Sequence, residues 1–268
     1  MSDFIKDTVE GYIERATAEL FDRLNSWPQA AAEVELHEVV GALAARQAQL
    51  TFELACSPGM WNPHVAPLFL RAMCDVYITT AWILEADPRK RAREFILHGL
   101  GQIKLELEHR KANPTPTENE LQFIDALEEF AQRQRHLFLT EVNVGSWSGK
   151  STRAMAEESG CLDFYNYVYT PFSACVHSTW QHVSRFNLEP CGNPLHRLHN
   201  IPVVQHFLHP APQDLWLAAK YLDKLFHLLD AKLTLNCTAD SAILWLRDRL
   251  LEHFTNFTPD TDSDKVAP

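Results

Sequence analysis

Apolar positions recur at intervals of three and four along almost the whole chain. Ile5, Val9, Tyr12, Ile13, Ala16, Leu20 and Leu24 predict a first helix over residues 3–25, ended by Trp27 and Pro28. Leu36, Val39, Val40, Leu43, Leu50 and Leu54 share one side of a second helix over 33–56, and Ser57, Pro58 and Gly59 make a turn. Residues 66–84 are apolar nearly all the way round, the pattern of a buried helix. Pro88 suits the first position of a fourth helix, whose stripe is Phe95, Ile96, Leu100, Ile103 and Leu107. Thr117 and Glu120 form a capping box, each satisfying a donor left over at the start of a fifth helix that runs to about 138. A short helix stopped by Gly160 follows, then an aromatic helix over 163–185 that Pro171 should kink or split. Residues 189–212 are rich in proline and irregular, and helices over 214–235 and 239–254 close the set. The one strand signal is a weak alternation over 138–144, and the acidic tail from 258 to 268 is expected to be mobile. This pattern predicts an all-α fold, a single-domain multi-helix bundle of about eight or nine helices over residues 1–257, built around the buried 66–84 helix.

Composition narrows the function classes. The chain has 268 residues, 46% of them hydrophobic, and a formal net charge of -11. Its longest basic stretch is 89–93, so a broad non-specific nucleic-acid surface is not expected, although a narrow RNA-binding cleft is compatible with the charge. The amino terminus lacks the basic and then apolar shape of a secretion signal, and no uninterrupted run of eighteen apolar residues occurs. A cytoplasmic protein that does not span a membrane is expected, with its six widely spaced cysteines reduced.

The chemistry-bearing candidates start with Arg71 and Asp75, the only charged residues between Leu54 and Leu84. Their i, i+4 spacing puts them on one face of the apolar helix, and burial of a charge demands a partner, so polar groups should meet them. Ser173 and His177 repeat the spacing on the aromatic helix, with His182 expected to face elsewhere. A serine and a histidine so placed suggest a nucleophile and a base, although the sharp elbow that usually exposes such a serine is missing. Lys104 and Glu108 make a third pair, able to line a substrate site beside the first two.

Other motifs are weaker. Arg93 or Arg91 with His98 fits the spacing of HEPN-type ribonucleases, but a chain this rich in Arg and His matches it by chance. The loop 145–151 is one residue short of a phosphate-binding loop and lacks the strand before it, so it is read as a tight loop capped by Ser151. Glu106 and His109 supply half of a di-iron motif with no second copy, and read as a solvated helix face. His196, His199, His206 and His209 cluster downstream of Cys191, but one nearby cysteine falls short of the two that structural zinc sites usually use. The sequence therefore assigns no metal and no cofactor.

Residues 66–84, the stretch 147–160, Tyr165 to Tyr169, and Ser173 with His177 together resemble an uncharacterised bacterial family of helical proteins. In that family an Arg on a buried helix is followed four residues later by an acid, more often Glu than the Asp75 found here, and an S-x-x-x-H helix comes late. The resemblance covers residues 36–185 and implies an all-helical fold but no known reaction. HEPN-like bundles of bacterial defence modules offer an analogy at the level of fold alone. Two functions are weighed about evenly. In the first, Arg71, Asp75, Ser173 and His177 converge, with Lys104 and Glu108 nearby, to act on RNA or another anionic phosphate ligand. In the second, the polar cluster is structural in a non-catalytic scaffold or regulatory subunit that meets a protein partner or a second copy of itself. An open cleft at His177 would favour the enzyme, and a sealed network the scaffold.

Overall fold

Helices form where the apolar periodicity sets them. The computed structural model describes residues 3–28, 30, 33–133, 146–206 and 208–255. It begins with α1 (Asp3–Ser26), α2 (Val34–Ala55), α3 (Ala66–Glu85), α4 (Pro88–Lys111) and α5 (Glu118–Gln132). The later elements are α6 (Thr152–Glu158), α7 (Leu162–Phe164), a π-helical turn (Tyr165–Tyr169), α8 (Thr170–Val176), α9 (Trp180–Phe186), α10 (Pro212–Leu233) and α11 (Ala242–Thr255). The protein is an all-α bundle. Among the described residues its only β structure is one antiparallel ribbon, β1 (Leu188–Pro190) against β2 (Asn200–Pro202), with Leu188 opposite Pro202. The candidate strand at 138–144 and the tail at 258–268 lie outside the described residues.

Two stretches differ from their sequence reading. The aromatic helix over 163–185 is not broken at Pro171, which sits in the first turn of α8 where its missing N–H is harmless. The break comes at 177–179, where Ser178 takes a left-handed φ of 46°. Just before α8, the Thr170 N–H and hydroxyl both donate to the Tyr165 carbonyl, the hydroxyl at 3.1 Å, closing the wide turn. The second difference is the ribbon, which gives order to a segment that reads as irregular.

The helix ends follow local chemistry. The Thr117 hydroxyl accepts the Glu120 N–H at 3.3 Å while the Glu120 carboxylate accepts the Thr117 N–H at 2.7 Å, completing the capping box. Ser151 caps α6 by accepting the Ala154 N–H at 3.2 Å.

The chain divides into two compact units, and their boundaries fall inside α2, α3 and α8. The first comprises Met1–Pro28, Ala45–Met73 and Ala174–Pro268. Its core holds Tyr12, Leu54, Trp61, Leu70, Leu215, Leu222 and Phe226, all essentially sealed from water. Here α1 packs on α11, and Gly11 gives room to the Trp245 ring, which Arg15 covers from the neighbouring turn at 4.3 Å.

The first unit also encloses a charged network. Arg23 donates two hydrogen bonds of 2.9 Å to the Asp230 carboxylate and a third, of 3.1 Å, to the Glu19 carbonyl. Its guanidinium lies 4.3 Å from the centre of the Phe226 ring. Glu19 accepts the Ala242 N–H at 3.1 Å, at the start of α11. Arg23 and Glu19 are only 5% exposed, so this is where a guanidinium and carboxylates leave water together.

The second unit comprises Gln29–Ala44 and Cys74–Ser173. Leu107, Ile124 and Ala131 join α4 to α5. Trp147 stands edge-on to Trp82 and Phe95, with ring centres 5.2 and 5.0 Å apart. The Trp82 indole N–H donates to Glu158 at 2.7 Å.

Candidate functional site

Arg71 and Asp75 sit one helical turn apart on α3, and the structure corrects the expectation that they leave water. Beyond Ala72, only Asp75 and Thr79 escape burial before Glu85. With Leu68, Arg71 and Ala72 they form a single stripe at helical spacing, on which Leu68 is exposed and the rest are half-buried. Ala66, Leu70, Met73, Cys74, Ile78 and Ile83 fill the other sides. Partial exposure lets both charges keep some hydration, which lowers the cost of carrying them on this helix.

The candidates divide between the two units by membership. Arg71 and His177 belong to the first, and Asp75, Lys104, Glu108 and Ser173 to the second. Lys104 is half-buried and Glu108 exposed on α4. The half-buried Ser173 hydroxyl donates to the Tyr169 carbonyl at 3.0 Å, so its proton is engaged by its own helix. α8 ends at Val176, which puts the exposed His177 in the turn after it. The Thr179 and Ser178 N–H groups close that helix end on the Ala174 and Cys175 carbonyls, both at 3.0 Å.

The arginines of the HEPN-like spacing are occupied. Arg93 pairs with Glu35 at 3.4 Å. Arg91 stacks on Trp82, 3.7 Å from its ring centre, donates to the Trp82 carbonyl and pairs with Glu158 at 3.8 Å. In the phosphate-loop-like stretch, Lys150 is bound to Glu158, and the Ser146 and Ser148 hydroxyls donate to the Lys150 carbonyl at 2.9 and 3.2 Å. That loop turns back on itself, the Gly149 N–H donating to the Ser146 carbonyl at 3.0 Å and the Lys150 N–H to the Ser148 hydroxyl at 3.2 Å. Lys150 and then the Trp82 indole hold the Glu158 carboxyl below its ordinary range.

A different constellation assembles within the first unit. Asn62 shapes the approach to α3: its side-chain oxygen accepts the His64 and Val65 N–H groups at 3.0 and 3.1 Å, and its amide donates to the Gly59 carbonyl at 2.8 Å. This fixes His64 just ahead of α3. Beside it, Cys175 points its thiol at the Pro63 and His64 carbonyls, 3.6 and 3.5 Å away. α9 then brings His182 edge-on to His64, with ring centres 5.4 Å apart, and Phe186 closes the cluster at 5.7 Å from His64 and 4.9 Å from His182. His182 is 9% exposed, and burial first and His64 second push its pKa below the ordinary histidine value. Both effects favour the neutral imidazole. Trp180, two residues earlier, is 72% exposed and offers an open indole face.

The i, i+4 spacing from Ser173 singles out His177 in the sequence and leaves His182 expected to face elsewhere. In the structure His177 is exposed at the start of the 177–179 turn and His182 is buried on α9. His64 carried no periodic signal, since it lies in the turn between helices. A separate group of three potential metal ligands, Cys191, His196 and His199, gathers at the ribbon. In the second unit, a groove of about 740 Å3 is lined mainly by apolar side chains such as Val39, Leu43, Phe95, Ile96 and Ile103.

Neither a curated protein nor a solved structure matches the chain. The family model of DUF5677, a family of unknown function, matches residues 37–193, a span that contains His64, Arg71, Cys175, His177 and His182, and because it covers more than half of the chain the protein belongs to that family.

Proposed function

We propose that the protein is an enzyme that cleaves single-stranded RNA at the 2′-OH, using the His64–His182 pair of the first unit. The observation that carries this reading is the buried, neutral His182 ring set edge-on to a second imidazole at 5.4 Å. Two imidazoles in one site are the acid and base that transesterification needs. Neutral His182 takes the 2′-OH proton, the 2′-oxygen attacks phosphorus, the bond to the 5′-oxygen breaks, and His64 returns a proton to that leaving oxygen. The product is a 2′,3′-cyclic phosphate. Arg71, on the half-exposed stripe of α3, and exposed His177 serve as donors to the anionic phosphate, and Trp180 offers a stacking face for a base. In this reading the helical bundle is HEPN-like at the level of fold and works in the cytoplasm, in a bacterial defence or stress module.

The test incubates the protein with a labelled single-stranded RNA and with DNA of the same sequence. Wild type should cut the RNA, leave the DNA intact and yield cyclic phosphate ends. His64→Ala and His182→Ala should each slow cleavage roughly 100-fold or more, the usual contribution of a proton-transfer group. His177→Ala, whose side chain is exposed, should weaken RNA binding and melt like wild type. Intact RNA, or cleavage that survives both substitutions in folded protein, rejects the proposal.

A second reading, the non-catalytic scaffold, draws on the second unit, where Arg91, Arg93 and Lys150 are engaged with acids and the groove is mainly apolar. It expects no nuclease activity and a clear loss of thermal stability in His182→Ala.

A further inference from the structure

The ribbon in the first unit gathers three metal-ligating side chains that the histidine reading does not use. β1 and β2 flank a loop at residues 191–199, closed at its base by the Cys191 N–H donating to the His199 carbonyl at 2.9 Å. Within it, Asn193 holds a tight turn, its side-chain oxygen accepting the Leu195 N–H at 3.0 Å and its carbonyl accepting the His196 N–H at 3.0 Å. Leu198 adopts a left-handed φ of 61°, and the His199 N–H returns to the His196 carbonyl at 3.2 Å. These turns bring residues that are five and eight positions apart back to one place.

One ligand atom from each of Cys191, His196 and His199 lies within 4.8 Å of the other two. The Cys191 sulfur is 3.7 Å from Nδ1 of His196. Zn–S and Zn–N bonds of about 2.3 and 2.05 Å in a tetrahedron separate sulfur from nitrogen by roughly 3.6 Å, so this pair already stands at bonding separation. The two imidazole rings are 5.4 Å apart, centre to centre.

We propose that Cys191, His196 and His199 bind one Zn(II) ion, with the fourth tetrahedral position open to water. A thiolate with two imidazoles is a borderline-soft set that suits Zn(II), and a three-ligand site leaves a position free. As the Zn–S bond forms, the thiol proton passes to solvent, so affinity rises with pH. His206 and His209, which extend the histidine run in the sequence, are not part of the group. The site stands on the ribbon alone and is independent of the RNA-cleavage reading.

Co(II) serves as the probe, titrated under reducing conditions into full-length protein stripped of metal. One equivalent should bind in wild type, with a thiolate-to-Co(II) charge-transfer band and the intense visible bands of a four-coordinate ion, and Zn(II) should displace it. Cys191→Ser should abolish the charge-transfer band, and His196→Ala and His199→Ala should each weaken binding at least about tenfold. His206→Ala should bind like wild type. His196, His199 and His206 are exposed and Cys191 is half-buried in the loop, so these variants should keep the fold, which circular dichroism checks. A wild type with no charge-transfer band, a band that persists in Cys191→Ser, or binding indifferent to both histidine variants overturns the proposal.

Discussion

Replacing Arg23 by Ala should produce one of the largest single losses of stability in this chain, and the size follows from what stays behind. The Arg23 side chain is 6% exposed, as is Glu19, while Asp230 is 27% exposed. Burial already pushes the Glu19 carboxyl above its ordinary range, and Arg23 is among the groups that hold it down. Without the guanidinium, Glu19 loses the cation that holds its pKa down and keeps the repulsion of Asp223. Breaking a buried pair from one side costs about 3–5 kcal/mol. At this chain size that is a fall in melting temperature of roughly 6–20 °C. Asp230→Asn should cost less, about 1–2 kcal/mol, because the amide oxygen still accepts from Arg23 and the site is partly wet. The assay is thermal unfolding by far-UV circular dichroism at several pH values. A carboxyl with a raised folded pKa disfavours the fold once it must ionise. The deficit of Arg23→Ala should therefore be full at neutral pH and shrink as pH falls towards the ordinary Glu value of 4.5, where Glu19 takes up a proton. A variant that melts within about 2 °C of wild type, or whose deficit grows on acidification, would refute the argument.

Two further outcomes test the first unit. Gly11→Ala should destabilise by about 1–3 kcal/mol despite the higher helix propensity of alanine. Its Cβ would stand 2.5 Å from the Trp245 ring, and Trp245→Leu, by opening that space, should remove most of the loss in a double-mutant cycle. His182 has a folded pKa below the ordinary value of 6.5, so the unfolded chain takes up a proton that the fold refuses. Its contribution to stability is complete above that value and is lost as pH falls below it. Urea midpoints at about pH 8 and about pH 5.5 should drop more for wild type than for His182→Phe, and equal drops would contradict the burial argument.

The sequence by itself determined the helices. The apolar stripes of α1, α2 and α4, the capping box at Thr117, the N-cap at Ser151 and the break before Pro88 are local signals, because helix hydrogen bonds and caps join residues no more than a few positions apart. Composition also placed α3 in the core. It did not place Arg71 and Asp75, because a helix that reads as apolar all round still leaves one stripe uncovered, and its neighbours decide which. The converse holds at Glu19 and Arg23, which look like an ordinary surface pair on α1 until Asp230 and Phe226, some two hundred positions later, close over them. The same limit governed the histidines. A left-handed residue at Ser178 separates α8 from α9, with His177 exposed and His182 buried, and the ribbon drew Cys191, His196 and His199 together. Periodicity records which face of an element is apolar, whereas exposure and convergence depend on contacts between residues far apart in the chain, and those only the tertiary structure decides.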